Sequence, residues 1–416
     1  MMIKRARPYF FMMMIVLLIS CEPGMKEDKS PEDNTTPNEQ DYIKMMEPNN
    51  MLEFALLENI EPDENQNIFI SPTSALMAVL MAYNGAEGET KEEIAEALAI
   101  DQLSMEETNM ATAAVLNKLN DNLDMIELSI ANSLWLNDNL QFTDTFIQKT
   151  DDYFQAKLFE IDVDDDASVR KINDWVSDAT NGKIEDIIEG PIHPAVVAFL
   201  INALYFNGTW MYEFDEVRTE DFPFQTAHGE KNVSFMMIEQ EFDYFETEMF
   251  QAVKIPYGDG KMSMNVFLPQ AGVSLIEVME GLTVEKWNEW QTKFKETEGT
   301  IKLPKFQLEY ETKLNNAFKQ LGIELAFDEE NANFPHMIEK GEPRLWIEEI
   351  KQKTFIDVTE KGTEAAGATS VEMRTTSATI EDNFYMDINR PFLFTITHEE
   401  MDINLFVGTI SNPKQR

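Results

Sequence analysis

Residues 359–383 are a run of 25 positions with only three large apolar side chains, Val371, Met373 and Ile380. A stretch that long without packing residues, inside a chain otherwise rich in them, is either a functional loop or an element with an unusual role. Gly367 and the Thr, Ser and Val that follow disfavour a long helix, although Glu364 to Ala368 has the propensity for a short one. Read as a strand, the segment sends alternate side chains to opposite faces. Thr363, Ala365, Gly367, Thr369, Val371, Met373 and Thr375 then share an uncharged face, and Glu364, Glu372 and Arg374 all fall on the other. The preceding segment alternates as well, with Ile350, Gln352, Thr354, Ile356 and Val358 on one side, which predicts a buried amide at Gln352. A strand that leads into an exposed, strand-competent loop describes a segment able to add itself to its own sheet.

The rest of the chain supplies that sheet. From Asp41 onward no Pro/Gly/Ser-rich linker and no repeat interrupts the 416-residue sequence, so one large domain is expected. Residues 46–60 have helical apolar spacing. Ile68-Phe69-Ile70 reads as a short strand, and Ser71-Pro72 as the cap and first turn of a helix running to Tyr83. Thr90-Lys91-Glu92-Glu93 reads as a capping box, and a further helix runs from Ser168 to Asn181-Gly182. Residues 199–206 are almost continuously apolar, as in a strand buried on both faces, with Asn202 as an amide that must find partners there. Strand patterns recur at residues 252–256, 263–268, 300–303, 392–397 and 404–408. Helices crowd the first half and strands the second, so the class is α+β.

At the other end, Lys4, Arg5 and Arg7 precede an apolar run of 11 residues from Tyr9 to Ile19, too short to span a bilayer but suited to a signal peptide. Leu18-Ile19-Ser20-Cys21 resembles the cleavage box of bacterial lipoproteins, and Cys21 is the one cysteine of the chain. The expected organisation is a signal peptide over 1–20, an acidic flexible tether over 21–44 and a folded domain over 45–416. Acyl chains on Cys21 would hold the protein at a membrane, at the outer membrane or cell surface.

Composition removes several functions. The 33 basic and 76 acidic residues leave a net charge of −43, and loss of Lys4, Arg5 and Arg7 takes it to −46. Such a chain repels phosphate backbones, so nucleic acid is not an expected partner. A single cysteine excludes intrachain disulfides and thiolate metal sites, and the four histidines form no HExxH, so neither a metal nor a cofactor is expected.

The residues also resemble a family, the serpins, over about residues 45–413. Glu360-Lys361-Gly362-Thr363-Glu364-Ala365-Ala366-Gly367-Ala368-Thr369 is similar to the hinge of an inhibitory serpin's reactive loop. Asn67-Ile68-Phe69-Ile70-Ser71-Pro72-Thr73-Ser74, Gly182-Lys183-Ile184 and Asn202-Ala203-Leu204-Tyr205-Phe206-Asn207-Gly208-Thr209-Trp210 match other family segments. So do Leu303-Pro304-Lys305-Phe306, Asn389-Arg390-Pro391-Phe392 and Gly408-Thr409-Ile410-Ser411-Asn412-Pro413.

The resemblance implies a single-domain fold with three β-sheets and an exposed reactive loop. It implies Ser71, Ser74 and Asn202 in a "shutter" beneath the central sheet, with Gln352 in place of the usual histidine. Trp210 would sit at the "breach", where the loop enters. It further implies no catalytic group and no enzyme, but a monomeric suicide substrate of serine proteases, with cysteine proteases as additional targets. Loop insertion is an established property of that family. The 14 residues from Thr363 to Thr376 would span about 46 Å as a strand, enough to cross the body.

Sixteen residues on from Glu360, and fifteen back from Pro391, both counts reach Thr376, so Thr376–Ser377 is the expected scissile bond. It suits elastase-like or subtilisin-like proteases. Arg374–Thr375 is the alternative, suited to trypsin-like enzymes, and would shorten the inserted strand by roughly 7 Å. A non-inhibitory serpin acting as a surface binding or chaperone-like protein is the second reading, and an acidic glycosidase using paired carboxylates a distant third.

Overall fold

Apolar spacing in the first part of the chain resolves into helices α1 (Ile43–Asn59), α2 (Pro72–Tyr83), α3 (Glu89–Ala97), α4 (Met105–Asn120), α5 (Asp144–Phe154) and α6 (Asp166–Ala179). Short helices α7 (Leu275–Met279), α8 (Val284–Gln291) and α9 (Asn315–Gln320) come later, among strands. The computed structural model describes residues 37–38, 40–120, 125–192, 198–339, 345–363 and 383–414. Cys21 and residues 364–382 lie outside that set, and with them the expected lipidation site, most of the hinge and both candidate scissile bonds.

The first strands are β1 (Ile68–Ile70), β2 (Ile126–Asn137), β3 (Lys157–Ile161), β4 (Ala198–Thr209) and β5 (Glu220–Thr226). Then come β6 (Gly229–Glu246), β7 (Phe250–Tyr257), β8 (Met262–Pro269), β9 (Lys295–Pro304) and β10 (Phe306–Lys313). The last are β11 (Glu349–Thr359), β12 (Gly362–Thr363), β13 (Phe384–Asp387), β14 (Phe392–His398) and β15 (Ile403–Ile410). A six-stranded sheet has the order β10-β11-β12-β4-β2-β3. The remaining strands run β1-β15-β14-β8-β7-β6-β9-β13, with β5 beside β6. Of the three sheets expected, two are thus joined by hydrogen bonds through β6, whose residues 235–244 pair with β9 and residues 243–246 with β7.

At the centre of the six-stranded sheet, β4 and β11 are buried on both faces, as the apolar run at residues 199–206 requires. Leu200, Leu204 and Phe206 of β4 enter the main core with α2, while Phe199, Ile201 and Ala203 enter a second core with Ile172 and Val176 of α6. Fully burying each such side chain contributes about 1.5–3 kcal/mol. α2 is buried along its whole length and starts as its sequence dictates: Ser71 Oγ accepts from the Ser74 N–H at 3.2 Å, and Pro72 occupies the first turn.

Two sequence expectations need correction. Thr90 and Glu93 form no capping box, because α3 starts at Glu89 behind Gly88, which has φ +61°. The Thr90 hydroxyl instead accepts from the Asn333 N–H, and the Glu93 carboxylate from the N–H groups of Glu324 and Leu325. Tertiary donors outcompete the local cap. The helix expected from Ser168 begins at Asp166, capped by Asp165. The strand at Ile68–Ile70 has the expected bounds, and the other strand patterns hold, each somewhat longer than its apolar centre.

Candidate functional site

β4 and β11 pair directly and in parallel from Phe199 opposite Glu349 to Tyr205 opposite Phe355. Beyond that rung they part, and β12 fills the gap. Gly362 lies opposite Thr359 of β11 and Thr209 of β4, and Thr363 lies opposite Val358 and Gly208. Residues expected at the start of an exposed loop are therefore already in the sheet. Glu360, Gly362 and Thr363 are buried, which corrects the reading of residues 359–383 as exposed from their first position.

Glycine is needed at both sides of this seat. Gly362 has φ +147°, and a Cβ there would lie 2.1 Å from the Gly208 carbonyl oxygen. A Cβ on Gly208 would approach the Phe206 and Tyr257 rings to 2.9 Å. Thr363 points inward, as the parity of the sequence requires, and its Oγ1 is 2.6 Å from the Tyr257 hydroxyl. Tyr257 is fully buried, which drives its phenol well above the ordinary value despite the bond to Thr363.

Trp210 closes the mouth of the gap. Its ring stacks on Tyr257 at 4.3 Å, its Nε1–H donates to the Thr359 carbonyl at 2.9 Å, and its backbone N–H donates to Lys361 at 3.0 Å. Glu360 is held beside it by Lys305 Nζ at 2.8 Å and the Thr219 hydroxyl at 2.8 Å. Burial would raise this carboxyl, but the bonds from Lys305, Thr219 and the backbone, with the lysine charge, take it below the usual carboxylate range.

Three rungs below the first β4–β11 pair, a row of amides crosses the sheet. Asn132 of β2 is opposite Asn202 of β4, which is opposite Gln352 of β11. Gln352 Nε2 donates to Asn202 Oδ1 at 3.0 Å and to the Ser71 carbonyl at 3.0 Å, while its Oε1 accepts from the Ser71 N–H at 2.9 Å. Asn202 Nδ2 donates to Ser74 Oγ and to Asn132 Oδ1. The expected quartet of Ser71, Ser74, Asn202 and Gln352 is thus one connected, fully buried network that ties both strands to the start of α2. A glutamine makes both the donor and the acceptor contact there, so no titrating side chain is required.

Sequence reasoning missed Asn132, Tyr257, Lys305 and Thr219. Asn132 had a signal: an amide on the same parity as Leu134 and Leu136, both buried in β2. Lys305 lay in the matched segment Leu303-Pro304-Lys305-Phe306 without a role given to it, and nothing local marks Tyr257 or Thr219, which only the packing of distant elements brings to the hinge.

The family model described as "Serpin (serine protease inhibitor)" matches residues 47–413. The chain is a serpin. It is 33% identical over 361 residues to Serpin B8 of Homo sapiens, covering 85% of this chain and 95% of that protein. It is 31% identical over 377 residues to an uncharacterised serpin-like protein of Methanosarcina acetivorans, covering 88% and 85%. Among solved structures, the thermophilic serpin tengpin in its native state matches with a TM-score of 0.82 and 32% identity, over 89% of this chain and 94% of that one. Human thyroxine-binding globulin shares the fold, with a TM-score of 0.81 at 24% identity over 90% of this chain and 100% of that one. Serpins are generally protease inhibitors rather than enzymes, and no cluster of metal-ligating side chains occurs among the described residues.

Proposed function

We propose that this serpin is a suicide-substrate inhibitor of serine proteases. The protease's nucleophilic hydroxyl attacks the Thr376 carbonyl, the Thr376–Ser377 bond breaks, and the Ser377 amine leaves with a proton from the enzyme. The acyl-enzyme ester remains. The freed strand then extends β12 between β11 and β4, carrying the protease with it before water can hydrolyse the ester. The observation that carries this reading is the seat of β12: a strand already begun, pointing an uncharged side chain inward, in a gap that the rest of the loop can widen. A Xenopus tropicalis relative, 32% identical over 365 residues, is named leukocyte elastase inhibitor, which agrees with the small β-branched residue at Thr376.

Continuing the register of β12 gives the path. Thr363 opposite Val358 and Gly208 takes Thr369 opposite both Gln352 and Asn202, on the same inward parity as Thr363. Insertion must part those two amides, and a hydroxyl arriving between them can donate to one and accept from the other.

Mass spectrometry after reaction with elastase tests the bond. A new amino terminus at Ser377 is expected, and one at Thr375 with stable trypsin complexes would move the site to Arg374. The leader adds a second element to the proposal: Cys21 carries the lipid that holds this inhibitor at the outer membrane or cell surface, with the acidic tether between anchor and domain.

A further inference from the structure

Tyr257 ends β7, in the other sheet, yet its hydroxyl is the polar group that meets the inward side chain of β12. Its ring is fixed on two sides, stacked on Trp210 at 4.3 Å and edge-on to Phe206 at 5.0 Å. The hydroxyl is therefore presented at one point of the gap, and Thr363 Oγ1 meets it there. We propose that Tyr257 is a positioning residue that fixes the register of loop insertion before the protease arrives; this rests on the inhibitory reading above.

The reason is geometric. A strand that enters one residue out of register turns every side chain to the opposite face. For this loop the slip would bring Glu364, Glu372 and Arg374 into an apolar core and turn the uncharged face outward. The aromatic-held hydroxyl matches Thr363 and has no counterpart in Gly362 or Glu364: the first offers no side chain and the second a charge. Thr363 keeps its place as the strand grows toward the amide row, so the contact is present before and after insertion. It acts as the first rung of the new ladder rather than a catch to be released, and insertion extends a formed nucleus instead of making one.

Tyr257→Phe keeps the stacked ring and removes the hydroxyl. Hydrogen–deuterium exchange on the uncleaved protein should then show about three- to tenfold faster exchange in peptides covering residues 358–363, the range expected for one buried hydrogen bond, with α2 unchanged. Thr363→Val should behave alike, the double variant no worse than either single one, and Thr363→Ser as the parent. Wild-type exchange rates in Tyr257→Phe, or losses that multiply in the double variant, would overturn the proposal. In parallel, the ratio of denaturant-stable complex to cleaved product should fall several-fold in Tyr257→Phe. A parent that traps beside a Tyr257→Phe that traps equally also overturns it. A parent that traps nothing counts against the inhibitory reading, and the exchange result then decides on the Tyr257–Thr363 contact by itself.

Discussion

Gly362 and Thr363 make opposite demands on neighbouring positions. The first must have no side chain, since the Gly208 carbonyl fills the space a Cβ would take, and the second must have one of a particular kind. Thr363 is fully buried, so an arginine there would bring an unpaired charge into the core, at a cost of at least several kcal/mol. Thr363→Arg should stall insertion while deacylation continues, giving a serpin that is cleaved without trapping. Glu364→Arg places the same charge one residue along, on the outward parity, and should keep most inhibition. Gels of both variants with one protease read the difference; equal trapping would mean the loop does not insert by this parity. Glu360 adds a pH term of known sign. Its carboxyl is held below the ordinary value in the fold, so its contribution is present above the ordinary carboxylate range and is lost as pH falls through the lowered value.

At the level of elements, the paired strands β4 and β11 are held by the amide row as well as by their ladder. Gln352 contacts both the Ser71 N–H and carbonyl, so β11 is fastened to the cap of α2 independently of its bond to Asn202. In the proposed inserted state, Thr369 would replace the Gln352–Asn202 bond. Thr369→Val preserves shape and removes the hydroxyl, leaving two buried amides short of partners at a cost of about 1–3 kcal/mol in the inserted state alone. The expected outcome is a cleaved form that melts at lower temperature than cleaved parent, with the uncleaved forms alike; Thr369→Ser should restore it.

Much of this scale was legible beforehand. A near-continuous apolar run marked β4, Ser71-Pro72 marked the start of α2, and period-two alternation marked both the inward Gln352 and the inward Thr363. Thr90 failed as a cap because its hydroxyl answers a donor 243 positions away, Asn333, which no local pattern reports. Tyr257 and Thr219 were hidden for the same reason: their importance lies in which elements meet, not in what surrounds them in sequence.

At the scale of the whole molecule, Glu53 is a buried carboxyl away from the loop machinery. Glu53 of α1 is 1% exposed and bonded to Asn404 Nδ2 at 2.7 Å, and Asp402 is the one charged group acting on it among the described residues. Burial, opposed in part by the Asn404 bond and aided by Asp402, pushes its carboxyl up to about 8. A raised folded-state value means the associated stability is complete below about 4.5 and is lost as pH rises through about 8. Thermal melts across that window should therefore fall by the equivalent of a few kcal/mol in the parent, at an order-of-magnitude level. Glu53→Gln keeps an acceptor for Asn404 and should flatten the curve. An unchanged slope in that variant would place the titration elsewhere.

At the same scale, Cys21→Ala should release the protein from membranes and abolish fatty-acid labelling. Retention with labelling intact would remove the lipoprotein reading without touching the serpin one.

Trapping by insertion is read directly on a denaturing gel of the intact serpin after incubation with elastase, subtilisin and trypsin in turn. With elastase or subtilisin, the expected result is a band at the summed mass of serpin and protease that survives boiling in detergent and is lost in Thr363→Arg. Complete conversion to cleaved serpin with every enzyme, with no such band and full protease activity remaining, would contradict it.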